Sequence, residues 1–70
     1  MPRFCVNRKA QPSGEHEVHD LATTTRCLPV LDNRVDLGHH ASCRTAVSAA
    51  RELFSNVNGC FHCANDCHTT

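Results

Sequence analysis

Three of the chain's six cysteines fall within eight positions near its carboxyl end, in Cys60-Phe61-His62-Cys63-Ala64-Asn65-Asp66-Cys67, and His68 follows at once. This cluster constrains the fold because little else in the chain can hold one together. Among 70 residues there are 14 Val, Leu and Phe side chains, one Met, and no Ile, Trp or Tyr. Below about 70–80 residues a core rarely supplies more than roughly 3–5 kcal/mol, so chains of this size add disulfides, a structural metal or a partner. Six Cys and six His are the available staple. The length fits one small domain over residues 1–70 and excludes a multidomain enzyme with a deep substrate cleft.

Seven basic and seven acidic residues leave the formal charge at zero. Neither the counterion-release affinity of a nucleic-acid binder nor a polybasic attraction to membrane is therefore expected. No apolar run approaches the ~18 residues of a membrane span, and Met1 to Arg8 lacks the apolar stretch of a signal peptide. The chain reads as cytoplasmic, where clustered cysteines bind metal or do redox work more often than they build a disulfide framework.

Phe4 and Val6 alternate with Arg3, Cys5 and Asn7, which predicts a strand over 3–7. Turn residues from Lys9 to Gly14 lead to a partner strand over 15–19, where His19 shares a face with Glu17 and Glu15, and Val18 shares the other with His16. A polar connection from Asp20 to Arg26 reaches the apolar segment Cys27-Leu28-Pro29-Val30-Leu31, which Pro29 keeps out of regular helix. Residues 33–38 alternate again, a third strand ending at Gly38. From Ser42 to Phe54, Cys43, Ala46, Val47, Ala50, Leu53 and Phe54 recur at helical spacing behind a Ser42 N-cap, and Asn56 to Gly59 supply stop and turn residues. The expected fold is α+β: a small antiparallel sheet of two to three short strands, one amphipathic helix over about 42–54, and a Cys-rich C-terminal knuckle.

Cys60 and Cys63 form a C-x2-C pair behind Asn58-Gly59, a spacing that lets two thiolates converge on one tetrahedral cation. The same spacing serves thioredoxin-type redox chemistry, but there the first cysteine opens a helix after a strand, whereas this pair follows the helix. The remaining ligands are expected from His19, at a strand end, and Cys27, since neutral imidazole and thiolate both suit zinc. Cys43, Cys67 and His68 are alternatives; Cys43 and Cys67 equally fit a disulfide or two packed thiols. Cys5 is expected to be an ordinary partly buried residue, His16 and His62 to sit at the surface, and His39-His40 to form a solvated loop. The spacing fits neither the bacterial ferredoxin run nor C-x-x-C-H haem attachment. No nucleophile turn or paired carboxylates mark a hydrolytic site.

Val6-Asn7, Gly14-Glu15-His16-Glu17-Val18-His19, Cys27 before Leu28-Pro29, Leu37-Gly38, Cys43-x2-Ala46-Val47-x2-Ala50-Arg51 and Asn58-Gly59-Cys60-x2-Cys63-x3-Cys67-His68-Thr69 together span nearly the whole chain. This pattern resembles a family of small bacterial Cys/His-rich proteins that carries no activity with it. More distantly it is similar to the zinc-binding module of the Ada DNA-repair protein. That similarity implies Cys60 and Cys63 as the closing ligand pair and His19 or Cys27 at the opening positions. The stretch between His19 and Cys27 is longer than the family's usual connection, a departure that bears on carrying His19 over. Methyl transfer to a zinc thiolate is not carried over, because this chain contains no methyltransferase partner domain. The expected function is a small binding or interaction module with one structural Zn2+, an unknown protein partner and no catalysis. A disulfide-stabilised or thiol-redox domain without metal is the alternative.

Overall fold

The structure, a computed structural model, describes residues 1–69. It is a small α+β fold with four strands, β1 (Arg3–Asn7), β2 (His16–Asp20), β3 (Arg34–His39) and β4 (Val57–Gly59), and one helix, α1 (Cys43–Ala50). Single 3-10 turns lie at Leu31–Asn33 and Asn65–Cys67. The strand order is β3-β1-β2-β4. β1 pairs antiparallel with both β2 and β3, whereas β2 pairs parallel with β4. β3 and β4 therefore run the same way at opposite edges, and α1 crosses the sheet between them.

The sheet is thus mixed and four-stranded, not an antiparallel sheet of two to three strands. The expectation missed β4, which it assigned to stop and turn residues. Asn58 and Gly59 are extended because β2 supplies partners for the backbone around them: the His16 amide donates to the Asn56 carbonyl at 2.8 Å and the Cys60 amide to the Val18 carbonyl at 2.9 Å. Three residues are too few for alternation to register in sequence.

Alternation places Phe4, Val6 and Val18 on one face of the sheet and Cys5 and His19 on the other, with Cys5 opposite His19 and Val6 opposite Val18 in the β1–β2 register. The first face packs against Cys43, Ala46, Val47 and Ala50 of α1. Ala46 and Ala50 are fully buried, and their small side chains let the helix lie close to the strands. Ser42 caps α1 by accepting from the Arg44 amide at 3.3 Å.

The helix ends at Ala50 rather than at Phe54. Beyond it the backbone tightens, with the Glu52 and Leu53 amides donating to the Ala49 and Ala50 carbonyls. This turn leaves Leu53 exposed, contrary to its inward assignment, and brings Phe54 back to stack on His16 with ring centroids 3.9 Å apart. His16 is consequently half-buried rather than at the surface, with its Nδ1–H donating to the Asn7 carbonyl. His40, expected in a solvated loop, is also half-buried: Nε2–H donates to the Leu37 carbonyl, and Nδ1 accepts from Thr45 Oγ1. No helix among the described residues is long and apolar enough to cross a membrane.

The C-terminal knuckle packs on β4 through Gly59. A Cβ built there would lie 2.7 Å from the Ala64 carbonyl oxygen and 2.7 Å from the Cys67 carbonyl carbon, both backbone atoms that cannot rotate away. Gly59→Ala is therefore expected to cost about 1–3 kcal/mol as overpacking. At roughly 4–8 °C per kcal/mol for a chain of this size, thermal unfolding should show a clear loss; an unchanged midpoint would contradict this packing.

Candidate metal centre

Cys60 follows β4 directly, and its amide is fixed to β2 through Val18. The Ala64 amide donates to the Cys60 carbonyl at 2.9 Å, closing a turn that carries Cys63 back over the end of β2. There the Asp20 amide donates to Cys63 Sγ at 3.4 Å, and His19 Nδ1 lies 3.5 Å from the same sulfur. Cys27 arrives from the long β2–β3 connection, its Sγ accepting from the Thr25 hydroxyl at 2.8 Å.

One donor atom from each of His19, Cys27, Cys60 and Cys63 lies within 4.8 Å of the other three, so this group could hold a metal ion. Zn–S and Zn–N bonds of about 2.3 and 2.05 Å at tetrahedral angles give a sulfur–nitrogen edge of about 3.6 Å. The His19–Cys63 separation of 3.5 Å matches that edge. Three sulfurs and one imidazole nitrogen are donors suited to zinc and other soft or borderline ions.

The alternative ligands lie elsewhere. Cys43 and Cys67 form a disulfide, so neither has a thiolate to give; it ties the start of α1 to the 3-10 turn after the knuckle. His68 is drawn to β4, where its Nδ1–H donates to the Gly59 carbonyl at 2.9 Å. Cys5 is more enclosed than expected, at 1% exposure, and burial pushes its thiol up to about 11, partly offset by Arg34. His62 is exposed, as expected, and His39 ends β3 with its Nδ1–H on the Met1 carbonyl.

Charge within the cluster is unevenly held. Burial raises the Cys60 thiol and pushes Cys63 well above the ordinary range. Burial also raises Cys27, but hydrogen bonds from Thr25, Cys63 and Cys60 outweigh it and bring the thiol below its usual value. Hydrogen bonding thus makes Cys27 the most acidic of the three thiols, and a cation held by the group would displace the protons of the others. His19 is 2% exposed, and burial, followed by the nearby Arg34 charge, lowers its imidazole to about 4. It is neutral at pH 7, as a ligand must be.

That shift sets the acid limit. Unfolded His19 takes up a proton near 6.5 while the folded residue resists until about 4, so the unfolded chain binds more protons within that window. Stability falls as pH falls from 6.5 towards 4, and competition by protons for the thiolates acts in the same direction. If the group holds zinc, a chromophoric indicator should report its release as pH falls, because protons compete for His19 and the thiolates; loading unchanged by acidification would contradict this electrostatic picture.

A cleft of about 460 Å³ opens beside the cluster, lined by Cys27 and Cys60 together with Gln11, Glu17, Arg26 and His62 among others. Two contributors escaped sequence reasoning. Asn58, 8% exposed, clamps the C-terminal segment by donating to the Thr69 carbonyl at 2.7 Å and accepting from its amide at 2.8 Å. Glu17, on the same face of β2 as His19, places Oε1 3.9 Å from His19 Nε2. The Glu15-x-Glu17-x-His19 alternation was the available signal for the latter; nothing in the sequence marks Asn58 as a clamp. Comparison with protein-family models, with curated proteins and with solved structures finds no match.

Proposed function

We propose that the chain is a small zinc-binding protein in which His19, Cys27, Cys60 and Cys63 hold one structural Zn2+, and that its role is to bind a partner rather than to catalyse a reaction. The observation that carries this reading is the convergence of four protein donors. A catalytic zinc keeps a coordination position for water or substrate, whereas four protein ligands close the tetrahedron. The ion would join β2, the β2–β3 connection and the knuckle after β4, segments distant in sequence that the apolar core joins only thinly. The partner is expected to be a protein, since a formal charge of zero gives nucleic acid no electrostatic hold.

A native mass spectrum of protein purified without added metal tests this. The expected species carries one zinc that is lost on denaturation, after which Cys5, Cys27, Cys60 and Cys63 accept an alkylating reagent and Cys43 and Cys67 do not. The second reading, a thiol-redox domain without metal, is favoured by the lowered Cys27 thiol on an open cleft. It requires the opposite result: a metal-free mass, with Cys27 alkylated first in the folded protein.

A further inference from the structure

The metal centre leaves one nearby acidic group without a role. Glu17 projects from β2 onto the face that carries His19, and Gln11, from the β1–β2 loop, donates from Nε2 to Glu17 Oε1 at 3.1 Å. The same oxygen faces His19: Oε1 lies 3.9 Å from Nε2, while the opposite ring nitrogen, Nδ1, lies 3.5 Å from Cys63 Sγ. The imidazole is thus set between a sulfur ligand and a carboxylate. Glu17 is mostly enclosed, with 18% of its side chain exposed. This inference rests on the metal-binding reading above.

We propose that Glu17 is the positioning residue of the metal centre: it accepts Nε2–H of His19, fixes the tautomer in which Nδ1 carries the lone pair, and is itself held by Gln11. Geometry on both sides of the ring supports this. The short approach to sulfur is on Nδ1, at the edge length a tetrahedral S/N pair requires, which assigns Nδ1 as the metal donor in this proposal and leaves Nε2 to carry the proton. The only carboxylate approaching Nε2 among the described residues is Glu17. At 3.9 Å the pair is longer than a direct hydrogen bond, but the terminal carboxylate torsion is soft, and the two residues share a strand face, so contact needs no backbone movement. A metal on Nδ1 makes Nε2–H a stronger donor and draws the carboxylate in. Metal-bound histidines commonly donate their second N–H to such an acceptor, which fixes ring orientation and raises ligand basicity.

Chemistry, not charge alone, is the expected mechanism. Zn2+ with three thiolates and a neutral imidazole is a net anion, so a further carboxylate adds no favourable long-range attraction. Its contribution must come through the oriented N–H acceptor. An amide oxygen can do the same work without charge, which separates the two effects.

Zinc affinity of the full chain, measured by competition with a chromophoric chelator, tests the proposal on wild type, Glu17→Ala, Glu17→Gln and Gln11→Ala. Glu17→Ala should keep one zinc per chain but bind it about 10–100-fold more weakly. Glu17→Gln should recover most of that loss, and Gln11→Ala should weaken binding about 2–10-fold, the scale of one hydrogen bond. Long-range proton–nitrogen NMR of the zinc form should place the His19 proton on Nε2 in wild type and show that its solvent exchange accelerates in Glu17→Ala, a change a purely structural role would not produce. If Glu17→Ala does not fold, Gln11→Ala and Glu17→Gln carry the test through affinity and the Nε2–H signal. Equal affinity and an unaltered Nε2–H signal in the variants would overturn the proposal, as would a proton found on Nδ1. A wild-type chain that binds no zinc would instead overturn the metal reading on which it rests.

Discussion

Treating the disulfide-intact protein with an excess of a strong zinc chelator is expected to unfold it. Apparent zinc binding in finger-sized peptides is worth about 10–16 kcal/mol at neutral pH, against roughly 3–5 kcal/mol for the core of a chain this small. The metal-free fold would also have to retain a buried neutral His19 beside the buried Cys60 thiol and the half-buried Cys63 thiol, both raised by desolvation. Circular dichroism should lose its folded signature on chelation and regain it when zinc is restored. Cys60→Ala should behave like the chelated protein, because Cys60 is at once a proposed ligand and part of the buried core. A chelated protein that keeps its spectrum and a cooperative thermal transition would show that the fold does not depend on metal.

Removing the disulfide should have a smaller and separable effect. Cys43 and Cys67 are separated by 24 positions, and closing a loop of that size restrains the unfolded chain by about 3–4 kcal/mol in the chain-entropy treatment. Cys43→Ala with Cys67→Ala, kept loaded with zinc, should therefore remain folded with its thermal midpoint lowered by roughly 12–30 °C, at about 4–8 °C per kcal/mol. Its zinc stoichiometry should not change, because neither sulfur belongs to the cluster. Loss of zinc from the double variant would place the disulfide, rather than β2 and β4, as the support that orients the knuckle. The two experiments together separate the two staples: the metal is expected to carry the larger share and the disulfide the smaller.

How much of this was legible in the sequence depends on how local each signal is. Cys60-x2-Cys63 can be read because donor type and spacing lie within four residues, and strand alternation puts His19 on the face away from Val18. The structure brings both together with Cys27, whose approach through the long β2–β3 connection has no periodicity to read. The inward stripe of α1 is visible as far as Ala50, because packing against the sheet and helical spacing agree up to that point. They disagree at Leu53 and Phe54, where the chain must turn to deliver β4 beside β2, and tertiary pairing decides the outcome. β4 owes its extended form to backbone partners on β2, and the Cys43–Cys67 link to a meeting of α1 with the final turn. Such long-range pairings leave no periodicity in the local sequence, so a Cys43–Cys67 disulfide could be read only as one option beside packed thiols and metal ligands. Glu17 is visible as an acidic neighbour of His19 on one strand face, but only the position of Cys63 against Nδ1 shows which ring nitrogen is left for it.

The most direct test of the central claim is the zinc-edge X-ray absorption spectrum of the protein purified with its native metal. The account predicts one zinc per chain with a first shell of three sulfurs at about 2.3 Å and one nitrogen at about 2.0–2.1 Å, the donor set of Cys27, Cys60, Cys63 and His19. A shell of four sulfurs, an oxygen or nitrogen shell with fewer than three sulfurs, or no zinc at all would contradict it.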